Sequence, residues 1–94
     1  LFIGDIFAKP GLTVANQYLK NHRDEYDFII ANGENTAGGF GITRKHFEQL
    51  LNMGVDAVTL GNHTWDQQEV FGLLEETPKL IRPLNYPPGT PGLG

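Results

Sequence analysis

Short apolar runs alternate along this chain with stretches whose apolar residues recur every three or four positions. Leu1-Phe2-Ile3-Gly4 reads as a strand, a turn follows through Lys9-Pro10-Gly11, and Ala15, Tyr18, Leu19 and His22 then fall at helical spacing. Phe28-Ile29-Ile30-Ala31 shows no polar alternation, the pattern of a central strand covered on both faces, and it ends at Asn32-Gly33. Gly38-Gly39-Phe40-Gly41 reads as a flexible loop. Thr43 stands in an N-cap position before a helix with the apolar stripe Phe47, Leu50, Leu51 and with Gly54 just past its end. Ala57-Val58-Thr59-Leu60 is a third strand. Asp66 and Glu69 form a capping-box-like start to a helix carrying Val70, Leu73 and Leu74, which Pro78 ends. Leu80-Ile81-Arg82-Pro83-Leu84 is a short fourth strand that its proline assigns to an edge. Strands alternating with helices predict an α/β fold of βαβ units around a mainly parallel sheet.

Composition narrows the function classes. Ninety-four residues bound the chain to one core, and 39% hydrophobic with 19% charged residues exclude a disordered segment. A formal charge of −4 gives no basic field for nucleic acid or an anionic membrane, and no apolar run reaches the ~20 residues of a membrane span. The lack of cysteine excludes disulfides, thiolate metal sites and a cysteine nucleophile. The chain opens on Leu1 inside a strand pattern and closes on Pro87-Pro88-Gly89-Thr90-Pro91-Gly92-Leu93-Gly94, turn-forming sequence with no element after it. Residues 1–94 are therefore expected to be truncated at both ends.

The chemistry sits where the strands stop. Gly4-Asp5, Asn32-Gly33-Glu34-Asn35 and Gly61-Asn62-His63 each follow a strand directly. In a parallel sheet these carboxyl ends share one edge, where ligands of open α/β sheets bind. Asp5, Glu34, Asn35, Asn62 and His63 thus pool two carboxylates, two amide oxygens and an imidazole, a donor set suited to hard or borderline divalent cations. A carboxylate such as Glu34 can bridge two ions about 3.5 to 4 Å apart. Plainer readings exist: Asp5 can cap a turn, and Asn62-His63-Thr64 fits a glycosylation sequon. His22 and His46 lie among charged residues on helices, as solvated side chains do.

The ordered set Gly4-Asp5, Gly33-Glu34-Asn35 and Gly61-Asn62-His63, with Gly39-Phe40-Gly41, Trp65 after Thr64, and Arg82-Pro83-Leu84-Asn85-Tyr86 near the end, resembles the calcineurin-like metallophosphoesterases. Within them it is most similar to the YmdB-like branch, which has Gly-Glu-Asn where the commoner pattern is Gly-Asp-x-x-Asp. The resemblance implies a four-layer α-β-β-α metallophosphoesterase fold whose second sheet comes from a later half, with residues 1–94 the N-terminal portion of that single domain. It also implies two divalent metal ions, iron or alternatively manganese. Asp5 and Asn35 would hold the first ion, Glu34 would bridge both, Asn62 would hold the second, and His63 would be the proton donor. Phe7 stands where the wider superfamily has a histidine, a departure the YmdB-like branch shares. The family also completes its metal site with three later histidines, which these residues do not include.

The implied activity is hydrolysis of small phosphodiesters, such as 2′,3′-cyclic nucleotides, by a cytoplasmic protein with no nucleic-acid or membrane partner; a homo-oligomer is compatible. The fragment by itself is expected to be inactive. Two other readings stay open: a metal-binding regulatory or scaffold protein without turnover, and a nucleotide-binding module of Rossmann type. Against the latter, the first turn lacks G-x-G-x-x-G and places Asp5 where a phosphate would lie.

Overall fold

A computed structural model describes residues 1–94 as strands and helices in strict alternation: β1 Phe2–Ile3, α1 Ala8–His22, β2 Ile30–Asn32, α2 Arg44–Met53, β3 Ala57–Thr59, α3 Glu69–Glu76 and β4 Leu80–Ile81, with a 3-10 turn at Arg23–Glu25. The strands pair in the order β1-β2-β3-β4 and every pair is parallel. Phe2 lies opposite Ile30, Ile30 opposite Ala57, and Val58 opposite Leu80. Right-handed crossovers that all advance the same way place all three helices on one face. Accordingly α1 packs on α2, and α2 on α3.

The side chains alternate as the pleat requires. Ile29, Ala31, Val58 and Leu80 are fully buried and form one apolar cluster with Leu12, Ala15 and Leu19 of α1, Phe47 and Leu50 of α2, and Val70, Leu73 and Leu74 of α3. Each of the larger aliphatic side chains contributes about 1.5–3 kcal/mol by leaving water. On the opposite face Phe2 is 59% and Phe28 54% exposed, and Ile30, Ala57 and Ile81 are only partly buried. The expected central strand is therefore central in its pairing but covered on one side alone. An unbroken apolar run specifies two faces that avoid water, and among these residues only one finds helices.

Two element boundaries move from the sequence reading. Lys9-Pro10-Gly11 is not a separate turn but the first turn of α1. A proline there lacks a donor the helix would not use and has its φ already set, while the Gly11 N–H donates to the Phe7 carbonyl at 3.0 Å. Asp66 does not cap α3, which begins at Glu69 after Gln68 with no side-chain cap. The caps of α2 are as expected. Thr43 Oγ1 accepts from the His46 N–H at 3.3 Å, and Gly54, at φ 106°, turns its own N–H back to Leu50 and Leu51. β4 is an edge strand, with Pro83 beyond its paired residues.

Asp56 fastens the entry to the sheet opposite the polar edge. Its carboxylate accepts from the Ile29 N–H at 2.8 Å and from Arg23 at 3.2 Å, while its own N–H donates to the Ile29 carbonyl. β2 and β3 therefore start from a fixed register.

Candidate active site

Two of the three site loops are built by the same local device. In Gly33-Glu34-Asn35-Thr36 the Thr36 hydroxyl donates to the Gly33 carbonyl at 2.9 Å, and in Gly61-Asn62-His63-Thr64 the Thr64 hydroxyl donates to the Gly61 carbonyl. The backbone N–H groups of both threonines close the same turns. Thr36 and Thr64 are the buried polar side chains of the molecule, and each is satisfied in this way. Each glycine-to-threonine turn pushes the two residues between its ends outward from the strand terminus. Glu34 and Asn35 are presented by one loop, Asn62 and His63 by the next. The repeat G-x-x-T is legible in the sequence but was not part of the expected site.

The remaining loop joins the second through Asp5. The Ile6 N–H donates to the Asn32 carbonyl and the Ala8 N–H to the Asn35 carbonyl, which brings the Asp5 carboxylate to 2.8 Å from the Asn35 amide. Glu34 turns the other way. Its Oε2 accepts from the His63 N–H at 3.2 Å, and its Oε1 faces the Asn32 amide at 3.4 Å. Gly61 makes this possible, because a Cβ at that position would collide with the Glu34 carboxylate. Gly33 is confined in the same manner, its missing Cβ displaced by Val58 and Ile42. Close backbone approach, rather than a special φ, fixes glycine at both places.

His63 is oriented by a residue that the sequence reading assigned elsewhere. Its Nδ1 lies 2.5 Å from Asp66 Oδ2, and the two side chains are each 34% exposed. Holding Nδ1 leaves Nε2 directed away from Asp66 as the ring atom available to a ligand. Asp66 was expected to cap α3. The same local pattern serves the histidine three residues earlier, because the chain between Asp66 and Glu69 has not yet entered the helix. A carboxylate three positions after a candidate catalytic histidine is the signal that could have found it.

All five expected site residues thus lie along the carboxyl edge. Asp5 pairs with Asn35, Glu34 pairs with His63, and Asn62 projects into solvent without a side-chain hydrogen bond. No three His, Asp or Glu side chains converge closely enough to hold a metal ion by themselves. The donors fit a hard or borderline divalent cation in kind, with two carboxylates and two amides at one edge, while the number of charged donors is small. His22 and His46 lie outside the site. His22 binds Glu25 and stacks on Tyr18; His46 bonds Thr43 on α2, and burial with Lys45 beside it lowers its pKa.

The strand order bears on the Rossmann alternative. A dinucleotide lies where the order of a doubly wound sheet reverses, and β1 to β4 follow one another without reversal. No helix is long and apolar enough to cross a membrane.

Known proteins match along the whole chain. A 2′,3′-cyclic-nucleotide 2′-phosphodiesterase of Bacillus subtilis is 46% identical over 96 aligned residues, which take in 100% of this chain and 36% of that protein. The crystal structure of a Thermus thermophilus protein described only as hypothetical superposes with a TM-score of 0.95 at 55% identity, covering 99% of this chain and 36% of the other. That of a Mycoplasma pneumoniae protein described as a novel phosphatase superposes with a TM-score of 0.87 at 35% identity, covering 99% and 35%. The chain therefore spans about a third of the length of these relatives. The sequence profile described as YmdB-like protein matches residues 1–94, and the chain belongs to that family.

Proposed function

We propose that the protein containing these residues is a metal-dependent phosphodiesterase that opens a small cyclic phosphodiester such as a 2′,3′-cyclic nucleotide. The observation that carries the reading is the Glu34–Gly61–His63 arrangement: a carboxylate seated on bare backbone at the sheet edge, accepting from the backbone N–H of a histidine whose ring is held by Asp66. The name of the Bacillus subtilis relative supports the substrate class. Asp5 and Asn35 would hold one cation, Asn62 a second, and Glu34 both; iron, or alternatively manganese, is the metal proposed. When bound, the cations supply Lewis acidity, drawing charge from the phosphoryl oxygens and lowering the pKa of the attacking water toward about 7.

The residues of this chain supply the remainder. Water's oxygen bonds to phosphorus, one phosphorus–oxygen ester bond breaks, and the departing alkoxide takes a proton. His63, with Nδ1 occupied by Asp66, offers Nε2–H for that transfer. Asp66 accepts from Nδ1–H and so holds the ring in place, with Nε2–H as the transferable proton of the imidazolium form. Further ligands are expected from histidines outside residues 1–94.

Glu34→Gln in the full-length protein tests the reading. The neutral amide bridges two cations poorly, so metal content should fall below two ions per chain and turnover of a 2′,3′-cyclic nucleotide should be lost, with the circular dichroism spectrum unchanged. Elemental analysis finding two ions per chain in that variant would remove Glu34 from the bridging role.

A further inference from the structure

Phe40 is the most conspicuous aromatic side chain beside the site, and no part of the core accounts for it. It is 62% exposed and belongs neither to the buried apolar cluster nor to the residues packed against it. The loop that carries it was expected to be flexible but is closely tied. Gly38, Gly39 and Gly41 all have positive φ, at 63°, 91° and 79°, a backbone course that side-chain-bearing residues rarely follow. Ala37 N–H donates to the Gly41 carbonyl, Gly39 N–H to Asn35, and Phe40 N–H to Ala37, all at 2.9 to 3.0 Å. The Gln67 amide holds the Phe40 carbonyl at 2.8 Å, and the Phe7 ring fills the space where Gly39 lacks a Cβ. The loop therefore fixes an aromatic ring in water at a set place.

That place is next to His63. The Phe40 and His63 ring centroids are 6.1 Å apart with their planes at 86°, so the imidazole meets the phenyl ring in a perpendicular arrangement that leaves most of the latter free. Gly41, one residue on, lies against the His63 carbonyl and the Asp66 and Gln67 side chains, so the loop and the His63–Asp66 pair are a single packed unit. A ligand with a phosphoryl group beside His63 would have whatever is joined to it through one sugar within reach of Phe40.

We propose that Phe40 is a stacking platform for the nucleobase of that ligand, and so a determinant of specificity for nucleotides over base-free phosphodiesters. This rests on the phosphodiesterase reading for the place of the phosphoryl group. Base–aromatic stacking tolerates every base, since each has a π-face. The platform would therefore select for the presence of a base rather than for its identity.

The test measures binding to the full-length, metal-loaded protein by calorimetry, with adenosine 3′-monophosphate and inorganic phosphate as probes. Phe40→Ala should weaken the nucleotide by about tenfold and phosphate by less than about twofold, as loss of one stacking contact implies. Phe40→Trp should retain nucleotide affinity, and Phe40→Leu, which keeps apolar volume without a π-face, should lose it as alanine does. Equal weakening of both probes would make Phe40 a support for the site and overturn the proposal, as would nucleotide affinity preserved in the leucine variant. Turnover of the cyclic nucleotide is read separately. Phe40-dependent nucleotide binding without turnover would sustain the platform while removing the phosphodiesterase reading.

Discussion

His63 and Asp66 show how one residue's role depends on a neighbour's geometry. With Asp66 on Nδ1, the imidazole has one nitrogen assigned to orientation and one left for chemistry. In the full-length protein, His63→Ala should retain both metals and lower kcat by about 10² to 10⁴, the contribution of a general acid. Loss of metal in that variant would make His63 a ligand instead. Asp66→Asn should lower kcat by about 10- to 100-fold with KM little changed, because the ring stays in place but loses its anionic partner. A KM increase with kcat intact would assign Asp66 to substrate binding. The gathering of the five candidate residues at one edge was legible because each follows a strand end, which fixes its place without knowledge of distant contacts. Asp66 was not, because an acid three residues before Glu69 has the spacing of a helix cap, and only the observed start of α3 separates the two uses.

At the scale of elements, local devices were the readable ones. Thr43 and Gly54 act within a few residues of themselves, so the sequence suffices to identify both caps of α2. Phe40 was hidden for the opposite reason: its loop is held by Gln67 and Phe7, which lie distant in sequence, and glycines alone read as flexibility. The paired G-x-x-T turns make a prediction here. Thr36→Val or Thr64→Val keeps the side-chain shape but leaves a glycine carbonyl without its hydroxyl donor, and each should cost about 1–3 kcal/mol in chemical denaturation. Serine at either position should recover most of that stability; no recovery would point to the lost methyl instead. His46 supplies a pH dependence. Its pKa is lowered from 6.5 in the folded state, chiefly by burial, so the unfolded chain binds the proton more readily. Its contribution to stability is therefore intact above pH 6.5 and falls as the pH drops from there toward the lowered value. His46→Gln should flatten denaturation midpoints across that interval, and an unchanged slope would assign the dependence to other groups.

For the whole molecule the uneven covering of the sheet is decisive. The helices hide one face, while Phe2 and Phe28 stand more than half exposed on the other, which a parallel sheet rarely tolerates. The isolated 94-residue segment should accordingly self-associate in sedimentation experiments, and Phe2→Asp with Phe28→Asp should reduce that association. A segment that sediments as a monomer at all concentrations would show the face to be stable in water. Any divalent cation that the segment takes up should be lost readily to a chelator, as read by elemental analysis after dialysis, since its donors are few in charge and poor in imidazole.

The strand order has a further consequence in time rather than in space. Because β1, β2, β3 and β4 pair in the sequence in which they occur, each new strand finds its partner already in place and no earlier gap must be held open for a later arrival. Every pairing closes a loop of one helix and its connections, which keeps the entropy of closure low at each step. A ribosome delivering this chain from its amino terminus could thus extend the sheet one βα unit at a time. Asp5 and Asn35 would be set beside one another before the loop carrying His63 joins the sheet, and the order of emergence would be the order in which the edge is assembled.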